Sequence, residues 1–107
     1  MGIFPPGLVY QRQLDAEIKN AIAKLGPEAV HVSYSLKEDS TGEPSLFFRV
    51  VLTDEAAQEV NLLHATEGIS RAIFNEVRPI ENWGLFPYFN YRSHSEWKRL
   101  KDPEWAA

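Results

Sequence analysis

The sequence predicts an α+β fold, a two-layer sandwich in which two helices cover a three-stranded sheet. The expected order is α-β-β-α-β with a short C-terminal helix. Three observations predict it. Apolar residues recur at helical spacing in two separate segments, 14–25 and 62–77. Between and after these segments lie stretches with a period of two or a continuous apolar run, the patterns of strands. Helices with one apolar face each need a common sheet surface to bury it.

The first helix carries Leu14, Ile18, Ala21, Ile22 and Leu25 on one face, with Arg12, Asp15 and Lys19 off it. Gly26 and Pro27 are expected to stop it at Leu25, with Gly26 in the left-handed position after the last turn. Pro5 and Pro6 suit a first turn, which Gly7 weakens. In "AVHVSYSLK", Val30, Val32, Tyr34 and Leu36 alternate with His31, Ser33, Ser35 and Lys37, a strand with one buried face. "EDSTGEP" is a polar loop, expected to be a mobile hairpin tip. "SLFFRVVLT" is apolar almost throughout, which predicts a central strand covered on both sides. Arg49 interrupts it, and its stem can lie over apolar surface while the head reaches water.

Thr53 and Asp54 offer caps for the second helix, in which Leu62, Ala65, Ile69, Ala72, Ile73 and Val77 form the apolar stripe. Gly68 within that helix is expected to permit close packing on the sheet. Pro79 ends the helix near Arg78, and "IENWG" connects to a third strand, "LFPYFNYR". Pro87 cannot donate to a ladder, so this strand belongs at an edge or beside a bulge. If it runs parallel to the second strand, the crossover is right-handed. Ser93 and Glu96 have the spacing of a capping box, and the last helix carries Trp97 and Leu100. The 107 residues are expected to make one domain, with 1–7 and 103–107 as loose tails.

Composition narrows the function classes. Apolar residues make up 44% and charged residues 24%, which fits a soluble globular chain. The net charge of −4 disfavours non-specific nucleic-acid or anionic-membrane binding, because the eleven basic residues cluster only at "KRLK", 98 to 101. The absence of cysteine excludes disulfides, thiolate metal sites and a Cys nucleophile, and fits a reducing, cytoplasmic setting. No apolar run is long enough to span a bilayer. The segment "MGIFPPGLVY" lacks the features of a secretory signal, and Pro6 breaks a myristoylation pattern.

Catalytic motifs are absent: no G-x-S-x-G, phosphate loop or G-x-G-x-x-G occurs. His31, His64 and His94 are the candidate metal ligands, but their spacing matches no ligand motif, and no cofactor is expected. The densest feature is "WGLFPYFNYRSHSEW", 83 to 97, whose third strand carries aromatics on both faces. One sheet face needs helices over it, so the other set is either covered by a chain end or exposed as an interface. The expected function is a small non-enzymatic binding or regulatory module that self-associates as a homodimer or meets another protein. Phe86, Tyr88, Tyr91 and Arg92 are the expected surface, flanked by Trp83 and Trp97. The alternatives are a metal-binding domain built on the three histidines, and a small-ligand or single-stranded nucleic-acid platform on the same strand.

Overall fold

A computed structural model of the chain describes residues 4–105. The element order is α1 (Pro6–Val9), α2 (Gln11–Ala23), β1 (Ala29–Glu38), β2 (Pro44–Leu52), α3 (Glu59–Val77), α4 (Pro79–Trp83), β3 (Phe86–Ser93) and α5 (His94–Leu100). A 3-10 turn, Pro103–Trp105, follows. The sheet order is β1-β2-β3, with β1 antiparallel and β3 parallel to β2. The α+β sandwich read from the sequence is therefore present, with β2 at its centre.

The reason for β2's composition is now visible. On the helix face Leu46, Phe48, Val50 and Leu52 meet Leu14, Ile18 and Ala21 of α2 and Ala65, Ile69, Ile73 and Val77 of α3 in one core. Val32, Tyr34 and Leu36 of β1 and Phe89 and Tyr91 of β3 pack against it. On the second face Ser45, Arg49 and Val51 are buried too. A strand buried on both sides has no polar face, so it reads as a continuous apolar run.

The departures from the expected pattern have local causes. A register irregularity between Ala29 and His31 turns Val30 outward, although strict alternation would have buried it. Helix α2 ends at Ala23 rather than Leu25, because its last turn tightens. The N–H of Lys24 donates to Ala21 O and that of Leu25 to Ile22 O, three residues back. Gly26 thus does not take the left-handed position. The segment 38–44 carries its own hydrogen bonds. Asp39 accepts from Thr41 N at 2.9 Å, Thr41 Oγ1 at 2.7 Å and Glu43 N at 3.0 Å, an arrangement that closes the loop on one carboxylate.

Thr53 Oγ1 accepts from Ala56 N and so caps a turn, and α3 begins only after Gln58. Leu62 and Ala72, expected in the buried stripe, are exposed. Arg78 adopts the left-handed conformation at the end of α3, and Pro79 then opens α4 in what was expected to be a plain connection. Gly68 faces open space, since a Cβ there would meet nothing within 4 Å, so it serves no close packing. Gly68→Ala is therefore expected to stabilise the fold by about 0.5–1 kcal/mol through helix propensity. The urea midpoint should rise at unchanged slope. A lowered midpoint would show a packing role that the geometry lacks.

Within the segments expected as loose tails, Gly7 and Trp105 are buried, while 1–3 and 106–107 lie outside the described residues. Gly7 is buried so close to Leu85 that a Cβ would lie 2.4 Å from Leu85 Cδ1. Trp105 is buried on the second face of the sheet. The C-terminal segment thus adds a partial third layer. Among the described residues no helix is long and apolar enough to cross a membrane.

Candidate interaction surface

The second face of the sheet is built by alternation. His31, Ser33, Ser35 and Lys37 come from β1, Ser45, Phe47, Arg49 and Val51 from β2, and Phe86, Tyr88, Asn90 and Arg92 from β3. One end of this face is covered and the other is open.

The cover begins where β3 stops. Ser93 Oγ accepts from Glu96 N at 3.1 Å and starts α5, as the capping-box spacing predicts. Asp54, just after β2, accepts from Ser95 N at 2.9 Å and from the Ser95 hydroxyl, which pins α5 to the far side of the sheet. These bonds hold the Asp54 carboxyl below the usual carboxylate range. The ring of Trp97 then stacks on His31 with centroids 5.3 Å apart, and His94 tilts against it at 6.0 Å. Trp97 Nε1 donates to Trp105 O at 3.0 Å. The guanidinium of Arg92 lies 4.3 Å from the centre of the Trp105 ring and donates to Asp102 at 3.2 Å. Beside it Arg49, 5% exposed, donates through Nε to Ser33 Oγ at 3.2 Å.

The open end holds Phe47, Phe86 and Tyr88. Tyr88 stacks on Phe47 with centroids 5.0 Å apart, and Lys37 Nζ lies 5.0 Å from the centre of the Phe47 ring. Phe86 is 45% and Tyr88 41% exposed, which is high for aromatic side chains on a sheet face. The Tyr88 hydroxyl donates to Asp39 Oδ2 at 2.8 Å and so ties β3 to the hairpin loop. Hydrogen bonds from Thr41 first and Tyr88 second lower the pKa of Asp39, and the same bond raises that of Tyr88.

The six residues expected to form one surface are thus divided. Tyr91 and Arg92 are sequence neighbours on a strand and point to opposite faces. Tyr91 lies on the helix side, half-buried, and donates to Thr66 O at 3.1 Å. Its burial raises the pKa of the phenol. Trp83 is buried in the core beside Leu85. Arg92 and Trp97 belong to the covered end, and Phe86 and Tyr88 to the open end. Phe47, Trp105 and Asp39 are the participants that the sequence reading missed. Phe47 was legible, since alternation places it two residues from Arg49 on the same face. Trp105 was not, because a single aromatic beyond Pro103 carries no periodicity.

The histidines do not converge. His31 and His94 both touch Trp97, whereas His64 is exposed on α3 beside a cleft of about 380 Å³ near Glu28 and Asn61. Among the described residues no group of three or more His, Asp or Glu side chains is placed to hold a metal ion. The basic groove that nucleic-acid stacking would need is not supplied by Arg49 and Arg92, which are covered and face the carboxylates of Asp102 and Glu104. Two shallow clefts flank β3. One, of about 490 Å³, lies outside the carboxyl ends of β2 and β3 and includes Tyr91, Ser95, Glu96 and Arg99. The other, of about 380 Å³, separates α3 from β3 and includes Glu67, Phe74 and Phe89. Comparison of the chain with models of protein families, with curated proteins and with solved structures gives no match.

Proposed function

We propose that the chain is a small binding module that self-associates through the open end of the second sheet face, with the outer edge of β3 beside it. The observation that carries this reading is that Phe86 and Tyr88 are exposed on the sheet face, with Tyr88 stacked on Phe47. Burying such aromatic surface against a second copy is favourable by roughly 25 cal/mol per Å² of apolar area. Among the described residues the order β1-β2-β3 also leaves β3 unpaired on its outer side. Two such edges related by a two-fold axis extend a sheet across a dimer, in a register that Pro87 restricts. A chain without cysteine suits a reducing compartment, and we place it in the cytoplasm.

Tyr88→Ala tests the surface. It is expected to leave the circular dichroism spectrum intact and to weaken self-association at least about tenfold, as loss of a central aromatic anchor does. Analytical ultracentrifugation over a concentration series is the measurement. Tyr88→Phe separates two roles, since it keeps the stack on Phe47 and removes the bond to Asp39. An association constant unchanged in Tyr88→Ala would remove this surface from consideration.

The second reading, small-ligand binding, is favoured by the cleft at the carboxyl ends of β2 and β3. The chain leaves β2 toward one side of the sheet and β3 toward the other, the kind of switch point at which open sheets bind ligands.

A further inference from the structure

The covered end of the second face holds two guanidiniums with donors that nothing accepts. Arg49 Nη1 and Arg92 Nη1 are both buried and have no hydrogen-bond partner among the described residues. In the register Arg49 stands opposite Asn90 and Val51 opposite Arg92, so the two arginines are diagonal neighbours on one face. Long side chains bridge that spacing. Both lie under the segment 102–105. Asp102 takes one donor of Arg92 at 3.2 Å, while Glu104 stays 3.9 Å from Arg49 Nη1, too far to accept its hydrogen. The Glu104 side chain is 61% exposed and also stands 4.0 Å from Lys37. A buried guanidinium donor without an acceptor is unfavourable.

We propose that Arg49 and Arg92 form a carboxylate-binding site, which a ligand enters by displacing the side chains of Asp102 and Glu104. Each guanidinium keeps an Nη1 donor without a partner among the described residues, and carboxylates accept strong charge-assisted bonds from such donors. Arg49, Arg92 and Lys37 already face two carboxylates, those of Asp102 and Glu104, so the charge of this end suits that group. The roof is a turn: α5 ends at Lys101 in a left-handed conformation, φ 50°, and the 3-10 turn Pro103–Trp105 follows. Asp102 and Glu104 occupy it as intramolecular competitors. This site uses the covered end of the face and stands independently of self-association at the open end.

Acetate titrated at constant ionic strength tests the proposal, with tryptophan fluorescence as the readout because Trp105 lies against Arg92. A saturable change is expected with acetate and none with chloride. Arg92→Gln should weaken binding about tenfold or more, as loss of a charge-assisted pair does. Glu104→Gln, which removes an exposed competitor, should strengthen it about threefold. A blocked tripeptide with a central Glu, and its Gln counterpart, locate the carboxylate's source. Binding about tenfold tighter than acetate assigns it to a protein segment, and equal binding assigns it to a free small acid. No saturable response to either probe would overturn the proposal, with buried water then meeting the donors. So would an unchanged response in Arg92→Gln, or phosphate binding more tightly than acetate. Should Arg92→Gln fail to fold, Glu104→Gln decides, and an unchanged or weaker affinity overturns the site.

Discussion

Trp105→Ala is expected to lower the unfolding free energy by about 3–5 kcal/mol, the range for deleting a large buried aromatic. Trp105 lies in a three-residue turn after the last helix, yet it is only 6% exposed. It covers the guanidinium of Arg92, and its carbonyl accepts the indole N–H of Trp97, which in turn lies on His31. Removing the ring therefore loosens the whole cover of the second sheet face. The variant should unfold at lower urea, and its native state should bind a hydrophobic dye where the wild type does not. A loss below about 1 kcal/mol would mean that the end of the chain is a tail after all, because surface substitutions stay within about 0.5 kcal/mol. The same variant bears on self-association. Uncovering Val51, Arg49 and Arg92 enlarges the exposed face, so its oligomeric state should rise rather than fall.

Much of the fold was legible because it rests on periodicity. The core faces of α2 and α3 and the two-sided burial of β2 follow from apolar patterning along the chain, while Pro87 marked β3 as an edge and Ser93 with Glu96 marked the cap of α5. What was missed has no repeat to read. Val30 faces outward because of a bulge, and a bulge is a pairing irregularity rather than a residue pattern. The turn between β1 and β2 is closed by a single aspartate, Asp39, which accepts from donors two and four residues on, a local pattern without a repeat.

The candidate surface was half legible for the same reason. Alternation within β3 separates Phe86 and Tyr88 from Phe89 and Tyr91. Which of the two sets stays exposed depends on how far a distant segment reaches. Here Trp97 and Trp105 cover the end of the sheet beside α5, and Phe47, Phe86 and Tyr88 are left open. An aromatic-rich strand thus supplies core, cover contact and open surface at once, and only register and tertiary cover tell these roles apart.

Arg49 gives the sharpest separation of stability from binding, because two substitutions at this position should act with opposite sign. Its guanidinium is buried on the central strand, donates to Ser33, and has no acceptor for Nη1 among the described residues. Desolvating a charge that is incompletely paired is unfavourable, and apolar replacements of similar volume are often neutral or stabilising by about 1–4 kcal/mol. Arg49→Met keeps the stem that packs on the sheet and removes the unmet donor. In carboxylate-free buffer it is expected to stabilise the protein by about 1–3 kcal/mol, read from urea unfolding. Arg49→Ala also removes the stem and leaves a cavity beneath Glu104, so a loss of about 2–4 kcal/mol is expected. If Arg49 were instead well satisfied, both variants would lose stability. Binding discriminates further. Arg49→Met should be the more stable protein and yet respond to acetate no more than to chloride. Gain of one property with loss of the other is what a residue held for binding produces. A purely structural arginine cannot, since its removal would move stability alone.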